Sequence, residues 1–230
     1  MATTFHFPSS SEEPSISPDP DSAWEVTASM QRLKLVVAAS DSLMTTVPYL
    51  DLDETSQDIL FRQYISDPIN AQTLTASTLI FVMRSYEDNS LNNLRNTMGI
   101  RVLSGDGTVV RGTLLAVTRD NFECTVTTLT NKALTGTSTE VVAEAGDVIV
   151  VEIGLAGDPG VGGTHGGGIS IGDDAASDCS EDNTGTDPNN PFLRFDSLDI
   201  TFQTGGEEPP PAAASPVNPR TSLALTGVGR

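Results

Sequence analysis

The chain has 230 residues, enough for one all-β domain with a sizeable core. Its 31 acidic against 12 basic residues give a formal net charge of −19. That balance argues against nucleic-acid binding, which needs a basic face to neutralise phosphates, and against docking on an anionic membrane. The bases are almost all arginine, which points either to fixed ion pairs or to codon bias alone. Cys124 and Cys179 are too few for a disulfide scaffold and are expected as two free thiols, with a single bridge as the alternative. The N-terminus, MATTFHFPSSSEEP, has neither the basic nor the apolar region of a signal peptide. No window approaches the roughly 18 apolar residues of a spanning helix. The expectation is a protein made in the cytosol and soluble there.

Residues 1–22 are predicted as an N-terminal arm, because Pro8, Pro14, Pro18 and Pro20 favour extended chain. Phe5 and Phe7 fall on one face of an extended segment and suggest an arm lying on a neighbouring subunit rather than a solvated tail. The folded domain is placed at 23–203. WEVTASMQRLKLVV (24–37) alternates and reads as one or two strands, and 40–58 as a surface loop. ILFRQYIS (59–66) alternates, NAQTLTAS (70–77) does so weakly, and STLIFVMRSY (77–86) is a strong buried strand. Residues 87–96 read as a loop and 98–104 as a strand. Gly105-Asp106-Gly107 signals a tight hairpin, with the return strand at 108–117. FECTVTTLT (122–130) alternates. In 139–155, Ala145-Gly146-Asp147 separates two strand-like halves.

The stretch 146–203 carries two strong strand signals, GDVIVVEIGLAG and FLRFDSLDITFQ, around a long Gly-rich and acidic loop. They are expected to be the last pair of a β-sandwich. About nine strands with turn chemistry between them, and no long amphipathic helix, give an all-β fold: a two-sheet sandwich, jelly-roll-like, with extended N- and C-terminal arms. Immunoglobulin-like strand order shares this pattern and stays open. Residues 204–230 are predicted as a Pro-rich C-terminal arm, stiff as polyproline II and ending in the apolar LALTGV. It is either a docking tether or a disordered tail.

Candidate chemistry is sparse. Asp173, Asp174, Asp178, Glu181, Asp182 and Asp187 crowd one loop, and hard oxygen ligands of this kind suit Ca²⁺. Their spacing does not match an EF-hand loop, so Asp173, Asp174, Asp178 and Asp182 are weak metal candidates and a solvated acidic loop is the simpler reading. His6 and His165 are the two histidines. His165, in GGTHGGG, has no local orienting partner, so neither a triad nor a zinc site is expected, and no catalytic residue is assigned. A glycosidase cleft would want aromatics for sugar stacking, whereas Trp24, Tyr64 and Tyr86 suit the core. GVGGTHGGG (160–168) lacks the Lys and helix of a phosphate loop. No cofactor is expected.

AGDVIVVEIGLAG (145–157), GISIGDDAASD (168–178), PFLRFDSLDITF (191–202) and ATTFHF (2–7) with the Trp that follows resemble a group of β-rich proteins of tailed bacteriophages and prophages. The resemblance covers the first 25 residues and the last third of the fold. It implies a virion structural protein of jelly-roll-like fold, of the capsid decoration or accessory group. The expected function is non-enzymatic: a decoration, cement or head–tail accessory protein. It would self-associate and bind other virion proteins, such as the major capsid protein. The loops 87–97 and 156–190 would face solvent or a partner. The alternative is a receptor- or carbohydrate-binding module of a phage tail or fibre, using the 156–190 loop. That loop has no Tyr or Trp to stack on a sugar, which favours the structural role.

Overall fold

The computed structural model describes residues 2–27, 30–51, 57–157 and 165–203; for 49–51 and 165 it describes the backbone alone. Fourteen strands run along the described chain, and these residues contain no helix. They are β1 (Thr3–His6), β2 (Gln31–Lys34), β3 (Thr45–Asp51), β4 (Gln57–Ile65), β5 (Gln72–Leu74), β6 (Thr78–Glu87) and β7 (Leu94–Leu103). There follow β8 (Val110–Glu123), β9 (Thr125–Val126), β10 (Thr130–Thr137), β11 (Val141–Ala143), β12 (Val148–Gly157), β13 (His165–Ile171) and β14 (Phe192–Phe195).

The strands form a two-sheet sandwich. One sheet contains the order β3-β13-β6-β10, and the other β4-β12-β7-β8. Neighbours in both runs are antiparallel. The chain alternates between the sheets except at the β7–β8 hairpin. This is the strand order of a jelly roll, not of an immunoglobulin domain. β1 and β14 extend the first sheet, β2 extends the second, and β5 pairs with β11.

Alternation along each strand fills the space between the sheets. β6 sends Leu79, Phe81 and Met83 inward, β7 sends Met98, Ile100 and Val102, and β12 sends Ile149, Val151, Ile153 and Leu155. Phe7 meets Tyr64 and Phe81 edge-on, with ring centroids 5.1 and 5.8 Å apart. The odd residues of β6 thus make the core, and the even ones, Ile80 and Val82, face outward.

Both outer faces are covered by the chain itself. Residues 8–24 lie over the second sheet as a strap. Ile16 packs on the outward Ile65, Leu103, Val148 and Val150. Arg101 and Arg32 donate to the Asp19 and Pro18 carbonyls. The 172–191 loop lies over the first sheet. Cys179 packs with Ile80, Val82 and Phe192, and Arg84 donates to the Thr186 carbonyl at 2.7 Å.

Several expectations are corrected. The N-terminal arm is not free to reach a neighbour: β1 pairs with β14, and Phe5 and Phe7 are fully buried in their own core. Burial contributes roughly 2 kcal/mol for each ring, more than a solvated arm could recover. Part of the 40–58 loop is β3. Its Pro48 is tolerated because β3 is an edge strand with one face of its ladder free. The 122–130 strand is broken by a corner at Thr127 (φ 57°), and the true strand, β10, begins at Thr130. The two strong strands of 146–203 are not a pair: β12 and β14 belong to different sheets. Beyond Phe195 the ladder ends, although Leu198 and Ile200 stay buried. The expected C-terminal arm, 204–230, lies outside the described residues.

Candidate functional site

One end of the sandwich collects the features that the fold itself does not require. The β6–β7 turn (88–93) and the β8–β10 corner (124–129) meet there. β6 pairs with β9 at Glu87 and Val126, and Cys124 N–H donates to the Leu94 carbonyl at 2.7 Å. Gln57, Gly157 and Leu94 share this end, as do His165 and Asp51.

Glu87 is the last residue of β6 and points between the sheets. It is 1% exposed, and its carboxylate accepts the Leu94 N–H at 3.0 Å, joining the first sheet to the second. Glu123, at the end of β8, is near enough to disfavour its charged form. Burial, reinforced by Glu123, pushes the Glu87 carboxyl up to about 7. Lys132 on β10 faces the same space, where its charge favours ionised Glu87, and it donates to the Asn183 carbonyl at 3.5 Å.

A bulge lies beside this pair. In the β7–β8 ladder Arg95 stands opposite Glu123 and Thr97 opposite Arg119, so Asp120, Asn121 and Phe122 together face Asn96. The bulge turns Asp120 inward and Phe122 outward. Asp120 Oδ1 accepts the Phe122 N–H at 3.1 Å, while Oδ2 is buried with no partner. Burial raises the Asp120 carboxyl above its ordinary value. Asn96, inward like Leu94 and Met98, has neither side-chain polar atom partnered. Cys124 donates to Ser85 Oγ at 3.2 Å, and burial pushes its thiol up to about 12.

Above this buried polar group the surface is apolar. Leu91 (52% exposed), Phe122 (49%) and Val126 (37%) stand on the turn and the corner. Asn93 and Thr127 hold positive φ here, and a β-branched residue in that region stores strain of the kind found at working sites.

Of the six loop carboxylates singled out in the sequence, all but Asp187 are tied to nearby donors. Asp173, fully buried, accepts Ser40 N–H, Ser40 Oγ–H and Ser42 N–H at 2.7–3.1 Å. Asp174 accepts Met44 N–H. Asp178 meets His6 Nε2 at 2.9 Å. Asp182 closes a turn onto Thr184 and Gly185; the Ser180 hydroxyl and these donors hold it down at about 2. Glu181 pairs with Arg194. Among the described residues no three His, Cys, Asp or Glu side chains stand together as a group that could hold a metal ion. The backbone of His165 lies at the β13 end, opposite Asp51. Cys124 and Cys179 are both buried free thiols, one between the sheets and one outside the first.

A second buried cluster, missed in the sequence, fastens the strap. Glu152, outward on β12 and fully buried, accepts from Arg101 (2.6 Å), Gln63 (2.9 Å), Trp24 Nε1 (2.9 Å) and Asp21 N–H (3.1 Å). A single acid inside VIVVEIGL is the signal that could have found it.

The chain is thus a jelly-roll β-sandwich whose two outer faces are partly covered by segments of the chain itself. No family model matches it, and no curated protein matches it. Similar solved structures include that of infectious bursal disease virus Gx strain, with TM-score 0.28 and 13% identity over 79% of this chain and 40% of that one. T=1 particles derived from infectious bursal virus give TM-score 0.24 and 13% identity over 82% and 41%. The VP2 subviral particle of infectious bursal disease virus gives 0.23 and 12% over 82% and 42%. The chain spans about two fifths of the chains it matches.

Proposed function

We propose that this chain is a non-enzymatic structural protein of a virion: a decoration, cement or head–tail accessory protein of a tailed bacteriophage, which self-associates and binds neighbouring virion subunits such as the major capsid protein. The observation that carries the reading is the distribution of apolar surface. The strap and the 172–191 loop cover apolar patches on both sheet faces, while Leu91, Phe122 and Val126 stay exposed at the end where the β6–β7 turn meets the β8–β10 corner; Val37, Leu43, Val109, Val110 and Val142 are exposed elsewhere. A cluster of exposed apolar side chains on an otherwise acidic, soluble protein marks a contact surface. Repeated sites on a particle favour symmetric association. The resemblance of the strand-end motifs to phage proteins supplies the virion context, and the 204–230 segment a further attachment.

The test is co-sedimentation with particles assembled without this protein, alongside light scattering of the free chain. The wild-type chain is expected to bind. A Leu91→Ser/Phe122→Ser/Val126→Ser variant of unchanged melting temperature is expected to lose most binding, and a chain ending at Gln203 to bind more weakly. Failure of the wild type to bind, with Ca²⁺-dependent capture on a glycan array, would replace this reading by the receptor- or carbohydrate-binding module.

A further inference from the structure

We propose that the groove at the open edge of β1 receives the apolar segment LALTGV (223–228) of a second copy of this chain as an added strand, so that copies link tail to groove. The inference deepens the reading above by naming the partner of the C-terminal attachment. It rests on that reading for its place on a particle, but its test needs only the free chain.

The groove has a volume of about 350 Å³ and is lined by Ala2, Thr3, Thr4, Val37, Ile200 and Phe202. Ile200 is buried, Phe202 meets Phe5 edge-on with ring centroids 6.1 Å apart, and Val37 is 52% exposed. β1 is the edge strand of the first sheet, with β14 on one side. On the other side the His6 N–H donates to the Val36 carbonyl at 2.8 Å, and this bridge is the only pairing there among the described residues. Backbone groups two residues apart on a strand point to the same side, so Thr4 presents its N–H and C=O to that side too. The chain bends at Val37, which leaves room for an extended segment beside residues 2–4.

The occupant follows from where the chain leaves the fold. Phe202 lines the groove and the Gln203 N–H is tied to the Pro68 carbonyl at 2.9 Å, so residues 204–230, which lie outside the described residues, continue from the groove itself. Nineteen residues, 204–222, separate Gln203 from Leu223, and five of them are proline. A spacer of that composition favours polyproline II, which at about 3.1 Å per residue spans up to roughly 60 Å and resists turning back on its root. The segment is therefore delivered to a neighbour's groove rather than to its own. Leu223 and Leu225, with Ala224 between them, fall on one face of an extended strand, which suits the apolar lining. Charge agrees: RTSLALTGVGR (220–230) carries two arginines and no acid, on a chain of net charge −19. Each copy offers one tail and one groove, so the links close as a reciprocal pair or a ring.

Light scattering of the full chain over a concentration series tests this. The wild type is expected to form a dimer or ring that dissociates on dilution, and an excess of the synthetic peptide RTSLALTGVGR to return it to monomer. Leu223→Ser/Leu225→Ser in the tail and Val37→Arg at the groove, both with unchanged melting temperature, are each expected to raise the dissociation constant at least about tenfold. An equimolar mixture of these two variants, one with a working groove and the other with a working tail, is expected to regain association as one-to-one dimers. Thr4→Pro, which removes the open N–H, serves as the groove variant should Val37→Arg fail to fold. A wild type that stays monomeric throughout the series overturns the exchange. So does an oligomer that survives the tail variant, the groove variant or the peptide, or a mixture that stays monomeric. Loss of particle binding by an oligomer that passes these tests would instead strike the docking reading alone.

Discussion

At the residue scale, two buried acids play opposite parts. Glu152 is met by four donors, among them the Arg101 guanidinium, which is itself buried. Glu152→Ala leaves that guanidinium with only the longer contact to the Asp21 carboxylate, at 3.6 Å, which costs about 3 kcal/mol. Because Trp24 is the sole tryptophan and its indole N–H donates to Glu152, a red-shifted emission in the native baseline should accompany the lower urea midpoint. Glu87 behaves in reverse. Its carboxyl titrates near 7 in the folded chain, above its ordinary 4.5, so between those values the folded state binds more protons than the unfolded one. Its contribution is therefore complete below about 4.5 and is lost as pH rises through about 7. Asp120, raised by burial, adds in the same direction. Thermal melts should show wild-type stability falling by up to roughly 3 kcal/mol across that interval, and Glu87→Gln should flatten the profile. A wild-type profile already flat from pH 5 to 8 would contradict this. The thiols offer a simpler test: with both pushed up to about 12 by burial, neither should react with a disulfide reagent until urea unfolds the chain.

At the element scale, a bulge decides which face of β4 enters the core. Opposite β12, Ile153 pairs with Arg62 and Gly154 with Leu60, so Phe61 is the extra residue. That single insertion shifts the parity, and Ile59, Phe61 and Tyr64 all reach the core. The strict alternation read for 59–66 could not show it. Gly154 makes room for the bulge. A Cβ there would lie 1.8 Å from the Ile59 carbonyl oxygen and 2.8 Å from the Trp24 ring. Gly154→Ala is expected to destabilise by more than about 2 kcal/mol in urea unfolding, whereas Gly146→Ala, with open space but φ 92°, should cost about 1 kcal/mol. Long apolar runs were legible as strands: β6, β12 and the second half of β7, with the Gly105-Asp106-Gly107 hairpin; Leu94–Asn96, read as part of a loop, in fact open β7. β13 was not, because HGGGISI lacks side chains for a pattern. Its glycines are there for close approach; a Cβ on Gly167 would lie 2.5 Å from the Tyr86 carbonyl oxygen. The burial of Glu87 was equally hidden, because the bond that holds its carboxylate, from the Leu94 N–H, crosses the gap between the sheets.

At the scale of the whole molecule, the ends of the described chain close the structure. β1 and β14 pair Thr3 with Phe195, and the strap seals the second sheet over Ile16. The sequence reading was right that Phe5 and Phe7 share a face and that something buries them; a pattern in one strand cannot say whether the buried partner is the same chain or another. Since nearly every ladder joins residues far apart in sequence, loop-closure entropy must be met before contacts form, and refolding should take milliseconds to seconds. The strap docks on a face that exists only once β4, β12 and β7 are aligned, so it should order last. Trp24 reports that step, because its donor bond to Glu152 forms only when the strap is down. Stopped-flow refolding should therefore show the tryptophan signal lagging the far-ultraviolet signal of the sheets. Glu152→Ala should weaken or remove the late phase while leaving the early one. Coincident signals would mean that strap and sandwich form in one step. A chain lacking residues 1–22 should then fail to give a soluble monomer, because it exposes Ile65, Leu103, Val148 and Val150 and loses the β1 edge together.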